Sequence, residues 1–149
     1  MGTVNTPISQ LPPAILPLTG TELVPLDQGG VTVQAQLSAI FGQIPVNNQS
    51  GNYQYQASDI GKAVRHPLGA GAGHTYTIPA NAVLALPVGT VITGINRDSN
   101  TLAVAIGGTD VLTQAGTTNV GSRTIAQNGM FTLFKDSATT WLINGVGVT

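Results

Sequence analysis

The stretch SRTIAQNGMFTLFK at residues 122–135, followed by TWLIN at residues 140–144, decides the fold class predicted for this chain. Apolar and polar residues alternate along both segments, and β-branched and aromatic residues are frequent, as in β-strands. The dipeptide Asn128-Gly129 is typical of a type I′ turn and predicts a hairpin between residues 122–127 and 130–135. This part of the chain therefore predicts an antiparallel three-strand meander.

Both faces of this meander carry large apolar residues. In an antiparallel sheet one face packs on the core, so the second apolar face is expected to be covered by another subunit. The predicted turn places Gln127 opposite Met130, and a loop at residues 136–139 would place Phe134 opposite Trp141, which is expected in the core. The candidate trimer interface consists of the second face, Ile125, Gln127, Met130 and Phe134.

Short β-rich runs continue from this meander back to about residue 52. Gly, Asn, Asp or Pro residues separate them about every eight to twelve residues, a spacing typical of antiparallel sandwiches and barrels. The expected strands are residues 52–56, 62–65, 74–78, 90–96, 101–106, 122–127, 130–135 and 140–144. Together they predict a mainly β fold, with an antiparallel β-sandwich or jelly-roll-like body over residues 48–149.

The first third of the chain has a different composition. Six of the nine prolines precede residue 46, whereas all five basic residues follow residue 61. Proline removes a backbone donor and restricts φ, which favours an extended segment over a central sheet. Residues 22–26 and 31–34 are expected to form a short hairpin around Gly29-Gly30. Residues 1–47 are thus predicted to be an extended arm with a hairpin, and residues 45–51 a linker to the body.

Charged residues make up only 7% of the chain, against roughly a quarter in ordinary soluble domains. Since the centres of protein interfaces are depleted of charge, this composition predicts a surface largely covered by neighbouring protein. A net charge of −1 indicates neither a nucleic-acid partner nor an anionic membrane partner. With no basic and apolar leader and no run of 18 apolar residues, a soluble protein made in the cytoplasm is expected.

No combination of residues predicts an enzyme, a metal site or a cofactor. The chain has no cysteine, and its serines lack the Gly-x-Ser-x-Gly context of a nucleophile elbow. His66 and His74 flank the glycine-rich residues 67–73, match no common metal-ligand spacing and are expected at a loop tip. Tyr53 and Tyr55 are expected to be exposed, where they could stack on a sugar or a partner. We predict no catalytic residue.

Several segments resemble modules of the virion proteins of tailed bacteriophages. The resemblance is carried by ISQLP at residues 8–12, LTGTELVPL at 18–26, GGVT at 29–32, TIPAN at 77–81, PVGTVI at 87–92, and residues 124–133 with TWLI at 140–143. These segments are similar to the N-terminal segments and β modules of phage fibre, spike and capsid-decoration proteins. The resemblance implies a non-enzymatic homotrimer that is assembled in the host cytoplasm and attached to the virion by its N-terminal segment.

Two positions on the virion are compatible with this resemblance. A tail fibre needs a long repetitive shaft, whereas this chain offers one small body and an arm. A capsid cement (decoration) protein that stabilises contacts between major capsid proteins is therefore expected first. The alternative is a short tail fibre or tail adaptor that docks on tail proteins and contacts a host glycan. The predicted virion contacts are the apolar residues of the arm, Leu11, Ile15, Leu16, Leu18, Leu23, Val24 and Leu26.

Overall fold

The computed structural model of this protein describes residues 23–36 and 44–149. The chain divides into two compact units between Gln43 and Ile44. In the first unit, β1 (Leu23–Gln28) pairs antiparallel with β2 (Val31–Gln36). Gly29 and Gly30 connect the two strands with φ angles of 63° and 81°, which glycine adopts without steric cost. The hairpin predicted at this position is confirmed.

The second unit, residues 44–149, forms a sheet of nine strands with one short 3-10 helix at Ala57–Asp59. Its strands are β3 (Val46–Asn48), β4 (Tyr53–Gln54), β5 (Ala63–His66), β6 (Thr75–Ile78), β7 (Val91–Asn96), β8 (Leu102–Ile106), β9 (Val111–Gln114), β10 (Arg123–Lys135) and β11 (Thr140–Val148). The predicted mainly β class is confirmed. β3 lies in the segment expected to be a linker, yet it pairs with β5 and belongs to this unit.

Successive strands from β3 to β8 alternate between two groups of parallel, hydrogen-bonded strands, which we call stacks. One stack contains β3, β5 and β7, and the other contains β4, β6 and β8. β10 pairs antiparallel with both β7 and β8 and thereby joins the stacks into one mixed sheet. Five of the eight strand pairings in this sheet are parallel, so the expected antiparallel sandwich is wrong in its topology. Apolar and polar residues alternate in the same way along a strand with one buried face, whether it pairs parallel or antiparallel. The alternation in the sequence therefore does not distinguish the two topologies.

β10 changes its pairing partner half-way along its length. Residues 123–125 pair with β8, whereas residues 130–134 pair with β7. Between them the register with β11 is interrupted, since Ile125 lies opposite Val148 and Met130 opposite Val146. Asn128 adopts the positive φ of 60° that the Asn-Gly dipeptide favours, but it forms a bulge within one continuous strand. The predicted hairpin at Asn128-Gly129 is therefore wrong.

The core is formed by inward-facing residues of both stacks and of β9, β10 and β11. Trp141 is 1% exposed, as predicted, but it lies opposite Lys135 and not opposite Phe134. Tyr55 is completely buried and Tyr53 half-buried, so the exposed positions predicted for both are wrong. Their rings make edge-to-face contacts with each other and with Tyr76, at centroid distances of 5.8–6.1 Å. The phenol rings thus contribute to packing of β4 and the residues after it against β6.

Gly94 of β7 lies directly beneath the buried ring of Phe131, its partner on β10. A Cβ atom at this position would be 2.0 Å from Cζ of Phe131, so the ring requires a residue without a side chain. We expect Gly94→Ala to lower the free energy of unfolding by about 1–3 kcal/mol, because overpacking displaces the ring. Urea denaturation followed by tryptophan fluorescence measures the change.

Gly51→Ala is the matched control for this substitution. A Cβ atom at Gly51 would meet no atom within 4 Å, and the backbone there has no positive φ. Its denaturation midpoint should stay close to that of the wild type. Equal midpoints for the two variants would show that Phe131 does not pack on Gly94.

Candidate functional site: an apolar sheet face

The outward side of the sheet around β10 carries apolar side chains on three neighbouring strands. Residues opposite each other in an antiparallel ladder point to the same side of a sheet, so each outward residue of β10 is flanked by residues of β7 and β11. The resulting rows are Ile95–Met130–Val146 and Val91–Phe134–Leu142. We name these six residues the β10 face.

Much of the β10 face is exposed in the single subunit. The exposed fraction is 81% for Val146, 57% for Met130 and 39% for Phe134. Between the two apolar rows lies Thr132, flanked by a threonine and an asparagine. The nearest charge in the ladder is Arg65, which pairs with Ile95 at the edge of the face. An exposed apolar surface without charge is typical of a region covered by another protein.

The bulge in β10 separates the four residues predicted for the trimer interface. Met130 and Phe134 lie on the β10 face, and Gln127 is exposed within the bulge. Ile125 is completely buried in the core, so its assignment to the interface is wrong. Ile125 and Met130 lie on either side of the bulge, and they end on opposite sides of the sheet, one in the core and one exposed. Only the predicted hairpin would have brought Ile125 and Met130 to the same face.

The residues predicted to contact the virion belong to the N-terminal third of the chain. Leu23, Val24 and Leu26 lie on β1, where their backbone pairs with residues 33–36 of β2. The remaining predicted contacts, Leu11, Ile15, Leu16 and Leu18, lie outside the described residues. The role of the whole set in attachment stays a prediction.

A buried polar network connects the strand ends next to the bulge. His66 at the end of β5 is fully buried; its Nδ1 lies 3.3 Å from Oδ1 of Asn96, and its Nε2 lies 3.0 Å from Nδ1 of His74. Because the amide oxygen of Asn96 can only accept, Nδ1 of His66 is the donor, and a neutral His66 accepts from His74. Both histidines had been expected at a loop tip. For His66 this expectation is wrong, because the residue is buried at the end of β5.

Asn96 attaches this network to β10. Its Nδ2 donates to the carbonyl oxygens of residues 125 and 126, where β10 leaves β8, and to that of Asn100. Its Oδ1 accepts from the backbone nitrogen of Asp98. Asn and Asp side chains in a turn commonly form hydrogen bonds to the nearby backbone. Nothing in the sequence, however, indicated that Asn96 would contact residues 29 and 30 positions away.

Asp98 binds the glycine-rich loop to the corner between β7 and β8. It is fully buried and accepts hydrogen bonds from the backbone nitrogen and Nδ2 of Asn100, at 2.8 and 2.7 Å, and from the backbone nitrogen of Gly71 at 3.2 Å. These donors, those of Asn100 above all, hold the pKa of Asp98 well below its usual range. Neutral donors thus stabilise this carboxylate without a cation.

A second buried carboxylate, Asp59, is satisfied in the same way. It accepts hydrogen bonds from Nδ2 of Asn47 at 2.9 Å, from the hydroxyl of Tyr53 at 2.7 Å and from the backbone nitrogen of Gln56 at 2.8 Å. Burial and the neighbouring Asp59 raise the pKa of Tyr53 to about 12. Each donor is already used within the fold, so this cluster serves the structure of the β3–β5 region.

Among residues 23–36 and 44–149, no group of three or more His, Cys, Asp or Glu side chains is placed to hold a metal ion. The same residues include no helix that is long and apolar enough to cross a membrane. A scan against protein-family models, a search of curated proteins and a search of solved structures each found no match.

Asp98→Asn is expected to change how stability depends on pH. Because the pKa of Asp98 is lower in the folded than in the unfolded chain, its carboxylate stabilises the fold above the unfolded-state pKa of about 4. This contribution is lost as the pH falls towards the folded-state pKa. The difference in unfolding free energy between wild type and D98N should therefore be largest near about pH 7 and shrink below about pH 5.

Chemical denaturation over this pH range at constant ionic strength measures the difference. Asp136→Asn is the matched control, since the side chain of Asp136 is exposed and makes no hydrogen bond within the described part of the chain. It should leave the pH dependence of stability nearly unchanged. A stability loss in D98N that is the same at every pH would contradict a role for the charge.

Proposed function

We propose that this chain is a non-enzymatic structural protein of a bacteriophage virion, a capsid cement protein that assembles as a homotrimer. The observation that carries the proposal is the β10 face, an exposed apolar surface without charge. The segments that resemble phage fibre, spike and decoration proteins supply the kind of particle and the trimeric state. No reaction is needed for this role, because it consists of binding neighbouring capsid proteins and holding them together.

The energetic argument for assembly is the burial of the β10 face. Removing apolar surface from water contributes about 25 cal/mol for each Å². Met130, Phe134 and Val146 present such surface side by side. The strands that carry them are paired on both sides, so a second protein surface can cover them without burying unpaired backbone groups. Because no charge has to be removed from water, association at this face carries little desolvation cost.

We assign attachment to the N-terminal unit and trimer formation to the second unit. The described hairpin β1–β2 is part of a compact unit of its own, and proline-rich sequence precedes it. Apolar residues in a segment rich in proline gain burial by lying on another protein, since the segment has few means of building its own core. Leu23, Val24 and Leu26 would then contact major capsid proteins together with the apolar residues before them.

A second candidate function is that of a short tail fibre or tail adaptor that contacts a host glycan. A shallow depression of about 480 Å³ beside β4 and β6 favours it. The depression is lined by Asn52, Tyr53, Gln54, Gly73, Thr75 and Thr77. Amide and hydroxyl groups next to an aromatic ring are the groups that suit an uncharged sugar, by hydrogen bonds and by ring contact.

The oligomeric state tests the role of the β10 face. Light scattering on the full chain at micromolar concentration should give a mass near three times 15.2 kDa. Met130→Asp should lower this mass, because it places a charge in the centre of the proposed interface. Thr124→Asp is the matched control, since Thr124 is exposed on β10 where the strand pairs with β8. A wild-type monomer would overturn the proposed trimer.

Binding to the particle tests the division of roles between the two units. Full-length protein should sediment with emptied phage shells, whereas residues 44–149 alone should remain in solution. Removal of residues 1–43 leaves β3 and its pairing with β5 intact. Full shell binding by the shortened protein would exclude the N-terminal unit as the anchor. Binding to host polysaccharide without binding to shells would favour the tail component.

A further inference from the structure

Lys135, the last residue of β10, is almost completely buried without an acidic partner. Its side chain is 1% exposed, and its Nζ donates to Oδ1 of Asn81 at 2.7 Å. The same nitrogen lies 5.6 Å from the ring centroid of Trp141. Within the described residues, Lys135 forms no ion pair. Lysine is seldom fully buried unless it is paired, because an ammonium group away from water requires a compensating charge.

Asn81 is also in contact with a carboxylate. Its backbone nitrogen donates to Oδ2 of Asp110 at 2.8 Å, so an amine, an amide and a carboxylate meet at one residue. A carbonyl bond is about 1.23 Å long, which places Nζ of Lys135 about 3 to 4 Å from Cγ of Asn81. The amine and the amide carbon are thus neighbours in the folded chain.

The backbone around Lys135 holds the amine in this position. Its backbone nitrogen donates to the carbonyl of Thr90, and its carbonyl accepts from Gly89, each at a normal hydrogen-bond distance. Trp141 packs opposite it on β11. Asn81 lies in the turn that follows β6, where the backbone nitrogens of residues 83 and 84 donate to the carbonyl of Ala80. Both reacting groups are thus placed by regular structure before any reaction occurs.

We propose that Nζ of Lys135 and Cγ of Asn81 form an intramolecular amide bond in the folded protein. The ammonium group of Lys135 first gives a proton to the carboxylate of Asp110 through one water molecule. The neutral amine then attacks Cγ, the attacking nitrogen releases one of its two protons, and the bond between Cγ and Nδ2 breaks. The departing nitrogen takes the proton from Asp110 and leaves as ammonia, which takes up the proton released by the attacking nitrogen and becomes ammonium. One ammonium and one primary amide thus become one secondary amide and one free ammonium ion.

This reaction removes the unfavourable feature of the unreacted structure. The product is an uncharged amide, so no ammonium group remains buried without a carboxylate partner. No oxidant, metal or cofactor is required, because oxidation states do not change. The new bond connects residues 54 positions apart in sequence, and joins the turn after β6 to the end of β10. It would close the second unit covalently, in place of the disulfides that a chain without cysteine cannot form.

Intact mass spectrometry of the purified full-length protein tests the proposal. The folded protein should weigh about 17 Da less than its sequence requires, because one ammonia is lost. Digestion followed by tandem mass spectrometry should identify a branched peptide that contains both Lys135 and Asn81. The full sequence mass, unchanged after prolonged incubation of the folded protein near pH 8, would overturn the proposal. This measurement on the wild type does not depend on the folding of any variant.

Matched variants separate the cross-link from other losses of ammonia. A cyclic imide at Asn128-Gly129 would also lower the mass by one ammonia, but it does not need a lysine. Lys135→Arg and Asn81→Ala should both restore the full mass, whereas the control Lys62→Arg should not. Mass loss that persists in folded K135R, with no branched peptide in the wild type, would contradict the bond.

Asp110→Asn tests the proposed proton acceptor. This substitution preserves the size of the side chain but removes its ability to accept a proton, so the cross-linked fraction should form at least about tenfold more slowly. The time course of the mass change after refolding measures the rate, and circular dichroism checks that the variant folds. An unchanged rate in folded D110N would exclude Asp110 from the reaction.

Discussion

β10 forms backbone hydrogen bonds with three other strands, and the arrangement of residues 44–149 depends on this pairing. Its first part closes the stack of β4, β6 and β8, and its last part closes the stack of β3, β5 and β7. β11 lies along its other edge and brings β9 into the sheet. The bulge near Asn128 allows one strand to serve both stacks, because it interrupts the ladder where the partner changes.

The bulge is stabilised by side chains that lie about 30 to 60 positions before it in the sequence. Asn96 binds the carbonyl oxygens on the N-terminal side of the bulge, and His66 and Asp98 hold Asn96 in turn. Buried polar networks of this kind define one arrangement, since each member left without a partner would carry a desolvation penalty. The orientation of the outward residues of β10, and so the composition of the β10 face, follows from the position of this bulge.

An uncharged apolar face and carboxylates satisfied by neutral donors are two aspects of the same composition. A chain with so few charged residues has few ion pairs to form, and within its described part it forms none. Its buried acids use amides, a phenol and backbone nitrogens, and its most buried lysine contacts an amide and an indole ring. Within the described part of the chain, buried polar groups are thus satisfied by neutral hydrogen bonds and not by ion pairs.

The sequence by itself determined the features that depend on neighbouring residues. It predicted the mainly β class, the hairpin at Gly29-Gly30 and the burial of Trp141, because turn geometry and alternation are local properties. Tertiary structure alone decided the parallel stacks, the bulge and the burial of Ile125, Tyr55 and His66. Two strands with identical alternation can pair in either direction, and the choice rests on hydrogen bonds and packing between residues far apart in the chain.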